Sequence, residues 1–244
     1  MKVQSRRNKL ETRIVSSAAT IAYQQDMWNL YANYYQVSQQ SFFDRFKTND
    51  LYALYTYGKQ IVGFTGFRMK MVETEHGPCQ TLYIGQTVMD SQFRGQSLLP
   101  RTCCLLFARH FLTNPRCPIY VWCDALTYKP YLLFANSLNT YFPTRHQATP
   151  PREKAIIDQL GRHYYGANYD EERGTVRKTA NVISDPSATI TPEHRLNPDI
   201  DFFARANPGH AEGHGLLTIA RIDWNNFRFL LKKCLKKKLG LAVH

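Results

Sequence analysis

Missing from this 244-residue chain is any apolar run approaching the roughly 20 residues that a helix needs to cross a bilayer. Missing too is a cysteine framework: Cys79, Cys103, Cys104, Cys117, Cys123 and Cys234 show neither CxxC pairs nor compact spacing. They read as reduced, mostly packed thiols of a cytoplasmic protein, not as disulfides or a zinc site. No zinc finger, RNP-like segment or H-E-x-x-H pattern occurs, so neither a metal nor nucleic acid is expected. Acids are scarce, 19 Asp and Glu against 31 Lys and Arg, leaving a formal net charge of +12. Such a balance suits acidic partners of several kinds and chooses among none of them. Lys2, Arg6, Arg7 and Lys9 ahead of residues 14–23 faintly imitate a secretory leader, but Glu11, Arg13, Ser16, Ser17 and Thr20 break the apolar segment.

What the chain does have is a junction over residues 86–100, where a strand-like run stops and a small-residue loop opens into an apolar-periodic helix. Backbone amides in the first turn of a helix have no intrahelical partners, and their dipoles add at one point suited to a phosphate. Gly95 allows the turn and a close approach, Ser97 is an N-cap candidate, and Pro100 falls in the first turn, where its missing N–H breaks no bond. Arg94 adds a cation.

Around the junction, residues 25–46 read as one or two aromatic-rich helices. Leu51–Tyr57 and residues 61–72 read as strands joined at Gly58-Lys-Gln. A strand follows at 81–89, then the loop, a helix at 98–111, a strand at 119–123 and a helical stretch at 128–141. Residues 152–165 have a helical pattern, whereas 166–208 show little periodicity and read as a loop-rich insertion or lid. A late strand is expected at 215–222. The last segment places Trp224, Phe227, Leu230, Leu231, Cys234, Leu235 and Leu239 at helical spacing, with Arg228, Lys232, Lys233, Lys236, Lys237 and Lys238 supplying six positive charges and Gly240 ending the helix. One domain over 1–244 is expected, with its core at about 20–145, an insertion at about 146–212, and the late strand and helix at about 213–244.

The pattern Gln92-x-x-Gly95-x-Ser97 between strand and helix resembles the acyl-CoA pyrophosphate loop of the GNAT N-acyltransferase superfamily, whose usual form is Gln/Arg-x-x-Gly-x-Gly/Ala. Tyr128–Pro143, with Tyr-Lys-Pro-Tyr and Tyr-Phe-Pro, is more loosely similar to bacterial GNAT-like proteins. The resemblance implies an α/β fold with a mixed, mostly antiparallel sheet flanked by helices, here with a long insertion and a basic amphipathic C-terminal helix. It implies acetyl-CoA or another acyl-CoA as co-substrate, held by Val88, Met89, Gln92, Phe93, Arg94, Gly95, Gln96 and Ser97, and direct attack by an amine acceptor. Strand 81–89 should splay from 119–123 to admit the pantetheine arm.

The catalytic half matches less well. Members of the family commonly carry a Glu base on the central strand, which residues 81–89 lack; Glu73 and Glu75 precede it and could act through water, or be a solvated strand end. The usual thiolate-protonating Tyr is replaced by Phe134 and Asn136, which turns attention to Tyr131 first, then Tyr128 and Tyr141, each of which could equally be a core aromatic. His210, beside His214 in a Gly-rich turn, is a candidate at the substrate pocket. Two other readings stand beside a CoA-dependent N-acyltransferase. One is an enzyme using a long acyl chain or an acyl carrier protein at an anionic membrane surface, reached through the C-terminal helix. The other is a non-catalytic binding protein.

Overall fold

The computed structural model describes residues 9–178, 182–183 and 189–238. Leu239, Gly240 and the cations Lys2, Arg6 and Arg7 lie outside them. Eight strands form one sheet in the order β1-β3-β4-β5-β6-β10-β8-β7. These are β1 (Leu10–Ser16), β3 (Leu51–Tyr57), β4 (Gln60–Val72), β5 (Cys79–Met89), β6 (Ile119–Ala125), β7 (Tyr169–Asp170), β8 (Thr175–Val176) and β10 (Gly215–Arg221). A separate pair joins β2 (Tyr35–Gln36) to β9 (Val182–Ile183). Among the described residues only β5 and β6 run parallel, joined through α3 (Leu98–Thr113). The expected mixed, mostly antiparallel sheet is what forms.

Alternation along the strands sorts the helices onto two faces. Ala53 and Tyr55 point to the layer of α3, α4 (Tyr128–Ser137), α6 (Pro198–Ala206) and α7 (Trp224–Lys238). Tyr52 and Leu54 pack instead on α1 (Gln24–Tyr31) and α2 (Gln39–Asp44). Farther along that face, Tyr120 and Trp122 meet α5 (Pro151–Tyr165). All seven residues of β6 are buried, as expected of a central strand covered on both sides.

Two segments differ from the expectation. The sheet begins at Leu10, ahead of residue 20, because β1 pairs along its whole length with β3, from Leu10 opposite Tyr57 to Ser16 opposite Leu51. As an edge strand it keeps Glu11, Thr12 and Arg13 in solvent, which hides the strand pattern. Residues 166–208 are not one long loop: β7 and β8 extend the sheet past β10, and α6 starts at Pro198 with the Asn197 side chain accepting from the Asp199 amide at 2.9 Å. Pro at the first helical position after an Asn cap was a readable start signal.

Candidate functional site

The register of β5 defines the site. Pairing with β6 runs from Gln80 opposite Ile119 only to Tyr83 opposite Trp122, yet β5 continues to Met89 and β6 to Ala125. The two strands part there, and the expected splay is present. On its other side β5 carries a bulge. Phe64 lies opposite Val88 and Gly66 opposite Gly85, so one residue of β4 faces two of β5, Gln86 and Thr87. The extra residue inverts the facing of the rest of the strand. Leu82 and Ile84 join the α3–α4 core, while Val88 packs on the α1–α2 side.

Gln86 takes φ 47°, a left-handed conformation that costs a non-glycine residue about 1 kcal/mol or more. Its side chain is held on three sides: Oε1 accepts from Tyr52 Oη at 2.5 Å and Asn49 Nδ2 at 3.2 Å, and Nε2 donates to the Phe42 carbonyl at 3.3 Å. Nothing in the local sequence announces this; the partners come from β3, α2 and the turn between them.

The gap opens into a cleft of about 490 Å³. Tyr83 through Met89 form one wall, with Cys123 and Asp124 at the β6 end, Tyr31, Tyr34 and Arg45 from the α1–α2 side, and Lys129, Pro130, Leu133 and Phe134 from α4. Lys178 closes it from the insertion. At the mouth the chain makes a short turn. Asp90 Oδ1 accepts from the Gln92 amide at 2.9 Å, the Phe93 and Arg94 amides donate to the carbonyls of Asp90 and Ser91, and the Ser91 amide donates to Tyr34 Oη. Of the proposed loop, Gln92, Phe93 and Arg94 therefore have engaged amides. Those of Gly95, Gln96, Ser97, Leu98 and Leu99 meet no acceptor among the described residues, and they open at the N-terminus of a 16-residue helix. Gly95 has φ +79° with open space where a Cβ would stand. The Arg94 guanidinium lies 4.8 Å over the Tyr34 ring and its Nε donates to the Met89 carbonyl. Ser97 does not cap with its side chain; it sits at φ 56°, where glycine would be unstrained.

At the inner end, Asp124 is buried and fully engaged. Oδ1 accepts from Tyr83 Oη at 2.8 Å, Oδ2 accepts from Tyr165 Oη at 2.6 Å, and Lys178 Nζ is ion-paired with Oδ2. Burial opposes the charged carboxylate, but the Lys178 ammonium and the hydrogen bonds outweigh it, and its pKa is lowered. The same burial, reinforced by Asp124, raises the pKa of Tyr83 and Tyr165 well above the usual phenol value. A side chain at Gly85 would run into the Tyr83 ring, so the glycine lets that ring lie across the strand. Burial also pushes the Cys123 thiol well up, reinforced by the Asp124 carboxylate, which favours the neutral thiol.

The sequence-derived catalytic candidates are elsewhere. Tyr131 is fully buried, donates to the Pro143 carbonyl at 3.2 Å and stacks on Phe202; it does not line the cleft. Burial raises its pKa, with Tyr141 adding to the effect. Tyr128 packs 5.3 Å from the His194 ring, outside the cleft. Glu73 is exposed in the turn ahead of β5, at the end of that strand away from the splay, roughly 30 Å of extended chain from Met89. His210 sits in the turn after α6, 6.0 Å from the Phe203 ring, its pKa lowered by burial and then by Arg195, and it does not line the cleft either. The residues that do converge, Arg45, Tyr83, Gln86, Asp124 and Lys178, were not singled out. Asp124 alone had a signal, a lone carboxylate in the apolar run Ile-Tyr-Val-Trp-Cys-Asp-Ala. Among the described residues no three His, Cys, Asp or Glu side chains converge as metal ligands, and no helix is long and apolar enough to cross a membrane.

No protein-family profile matches the chain, and no curated protein is similar to it in sequence. Remote likenesses occur among solved structures. An acetyltransferase from Trypanosoma brucei is 17% identical, with 58% of this chain and 99% of that one covered at a TM-score of 0.39. The GNAT family N-acetyltransferase YhbS from Escherichia coli, solved with CoA, is 14% identical, with 54% and 69% covered at 0.39. Glucosamine-6-phosphate N-acetyltransferase from Arabidopsis thaliana is 12% identical, with 59% and 99% covered at 0.38. Likeness this remote says nothing of substrate or chemistry, and the functional reading rests on the cleft.

Proposed function

We propose that the protein is an acyltransferase of the GNAT type that moves an acyl group from acyl-CoA to an amine. One observation carries the reading: the cleft where β5 and β6 part is lined as far as Arg94 and Leu99, beside a helix N-terminus whose five amides of residues 95–99 meet no acceptor among the described residues. Those amides and the α3 dipole suit the pyrophosphate, with Arg94 as an adjacent cation. From Met89 back to Gly85 the strand rises about 13 Å, and an extended pantetheine arm, about twelve bonds long, matches roughly four residues of chain. Past Tyr83 the edge of β5 has no strand partner on the β6 side, although Tyr35 Oη and Arg94 Nε already donate to the Thr87 and Met89 carbonyls, and the mainly apolar lining of the cleft limits water.

The coenzyme thioester supplies an activated acyl group. The chain's own residues bind the coenzyme, orient the acyl group and hold charge at the inner end of the cleft. Asp124 is poorly suited to abstracting a proton, because its partners favour the carboxylate and its lowered pKa makes it a weak base. It is better suited to fixing a cation, the role it already plays toward Lys178. Tyr131, Tyr128, Glu73 and His210 fall out of the proposed machinery for want of access to the cleft.

Release of free thiol from acetyl-CoA and octanoyl-CoA on a panel of small amines tests the reading. Amine-dependent release, lost in Asp124→Asn while CoA still binds, supports it. Tight CoA binding without transfer to any amine favours the non-catalytic reading, in keeping with the absence of Tyr131, Tyr128, Glu73 and His210 from the cleft lining.

A further inference from the structure

We propose that the outer faces of α3 and α7 form one surface that docks on an anionic lipid bilayer. The inference stands on these helices alone and is independent of the chemistry of the cleft. They lie side by side on the same face of the sheet. Cys104 Sγ is 3.8 Å from Cys234 Sγ, the Phe111 and Phe227 rings are 5.3 Å apart, and Phe107 and Leu230 are buried beneath. Their outer sides remain in solvent and carry large apolar groups: Leu105 is 61% exposed, Leu112 85%, Trp224 64%, Leu231 38% and Leu235 51%. Scattered single apolar residues are ordinary on a surface, but five on two adjacent helices are not scattered.

Charge completes the pattern. Neither helix contains an Asp or Glu. Arg109, Arg228, Lys232 and Lys236 are exposed on the same two helices, with Lys237 exposed one turn past Lys233, and none is ion-paired with a carboxylate among the described residues. Asp223, just ahead of α7, is engaged in accepting from the Asn226 amide at 2.9 Å. Lys233 does not belong to the face. It turns inward to the Asn136 carbonyl, and burial lowers its pKa. A purely cationic surface would accept any polyanion. Leu and Trp beside unpaired Lys and Arg instead match the bilayer interface, where apolar side chains enter the acyl boundary and cations meet headgroup phosphates. Nucleic acid offers no apolar layer for Leu112 or Leu235.

Co-sedimentation of the full chain with vesicles of phosphatidylcholine, with and without phosphatidylglycerol, tests this, beside two surface variants. One is Arg228→Glu with Lys232→Glu, Lys236→Glu and Lys237→Glu; the other is Leu105→Ser with Leu112→Ser, Trp224→Ser and Leu235→Ser. All eight positions are exposed, and circular dichroism checks that each variant is folded. The expected result is binding to the phosphatidylglycerol vesicles only, weakened about 100-fold or more by the charge reversal and at least tenfold by the apolar replacements. Lipid-borne quenchers should quench wild-type fluorescence and lose that effect in Trp224→Phe. Equal binding by the apolar variant, with Trp224 unquenched, would overturn the proposal, as would binding to RNA but not to vesicles. A CoA titration of the same proteins reports the cleft separately.

Discussion

Replacing Asp124 with Asn probes the inner end of the cleft most sharply. The substitution preserves shape and leaves an oxygen to accept from Tyr83 or Tyr165, but strips the charge opposite Lys178. The Lys178 side chain is only 17% exposed, so its ammonium would be stranded largely out of water. Breaking one side of a buried pair costs about 3–5 kcal/mol, and the lower end is expected because the long lysine stem can swing toward solvent. For a chain of this size about 3 kcal/mol corresponds to a fall of roughly 6–12 °C in Tm. The pH dependence gives the charge away. The folded pKa of Asp124 is lowered, so its stabilising contribution is complete above the unfolded carboxylate value of about 3.9 and is lost as pH falls through the folded value below that. Denaturant unfolding at pH 7 should therefore separate wild type from Asp124→Asn, and the gap should close below about pH 4. Asp124→Asn with Lys178→Met should recover much of the loss, since no charge is stranded. A gap under about 1 kcal/mol at pH 7, or one unchanged down to pH 3, would refute the assignment of Asp124 as the charged anchor of the cleft.

Other substitutions test neighbouring points. Tyr131→Phe should cost about 1 kcal/mol in unfolding experiments through the lost bond to the Pro143 carbonyl, yet leave kcat within a few-fold; a drop of 100-fold or more would restore it as the acid. Ser97→Gly should stabilise the fold by about 1 kcal/mol by relieving φ 56°, with CoA affinity retained or improved, and a destabilised variant would show that the serine side chain contributes something the hydrogen bonds do not reveal.

What was legible in the sequence was local. The hairpin at Gly58, the Gly95 turn and Pro100 in the first turn of α3 each act within a few residues, and strand and helix fell where they pointed. Density of aromatic and apolar residues revealed β3, whose two faces are both covered, and no such density marked β1, an edge strand that keeps its charges in solvent. The resemblance to an anion-binding loop was readable, but not that Asp90 draws the Gln92 amide into a turn and shifts the open amides to residues 95–99. The inner end of the cleft was opaque for a different reason. Asp124 meets Tyr83, Tyr165 and Lys178 only when β5, α5 and the insertion are folded together, and no spacing in the chain encodes that meeting. Tyr131 lies on α4 as the helical pattern indicates, but its direction, into the α6 core, is set by packing that no spacing in the chain encodes.

Calorimetric titration of CoA into the wild-type chain and into Gly95→Glu tests the central claim most directly. The substitution brings a carboxylate to the loop of open amides; nothing lies within 4 Å of a Cβ there, and the left-handed φ of +79° costs about 1–2 kcal/mol, so circular dichroism must show the variant folded before its opposed anion site is compared with wild type. Saturable binding by wild type, weakened at least 100-fold in the folded variant, is the predicted result. No binding by wild type, or equal binding by both, would contradict the account.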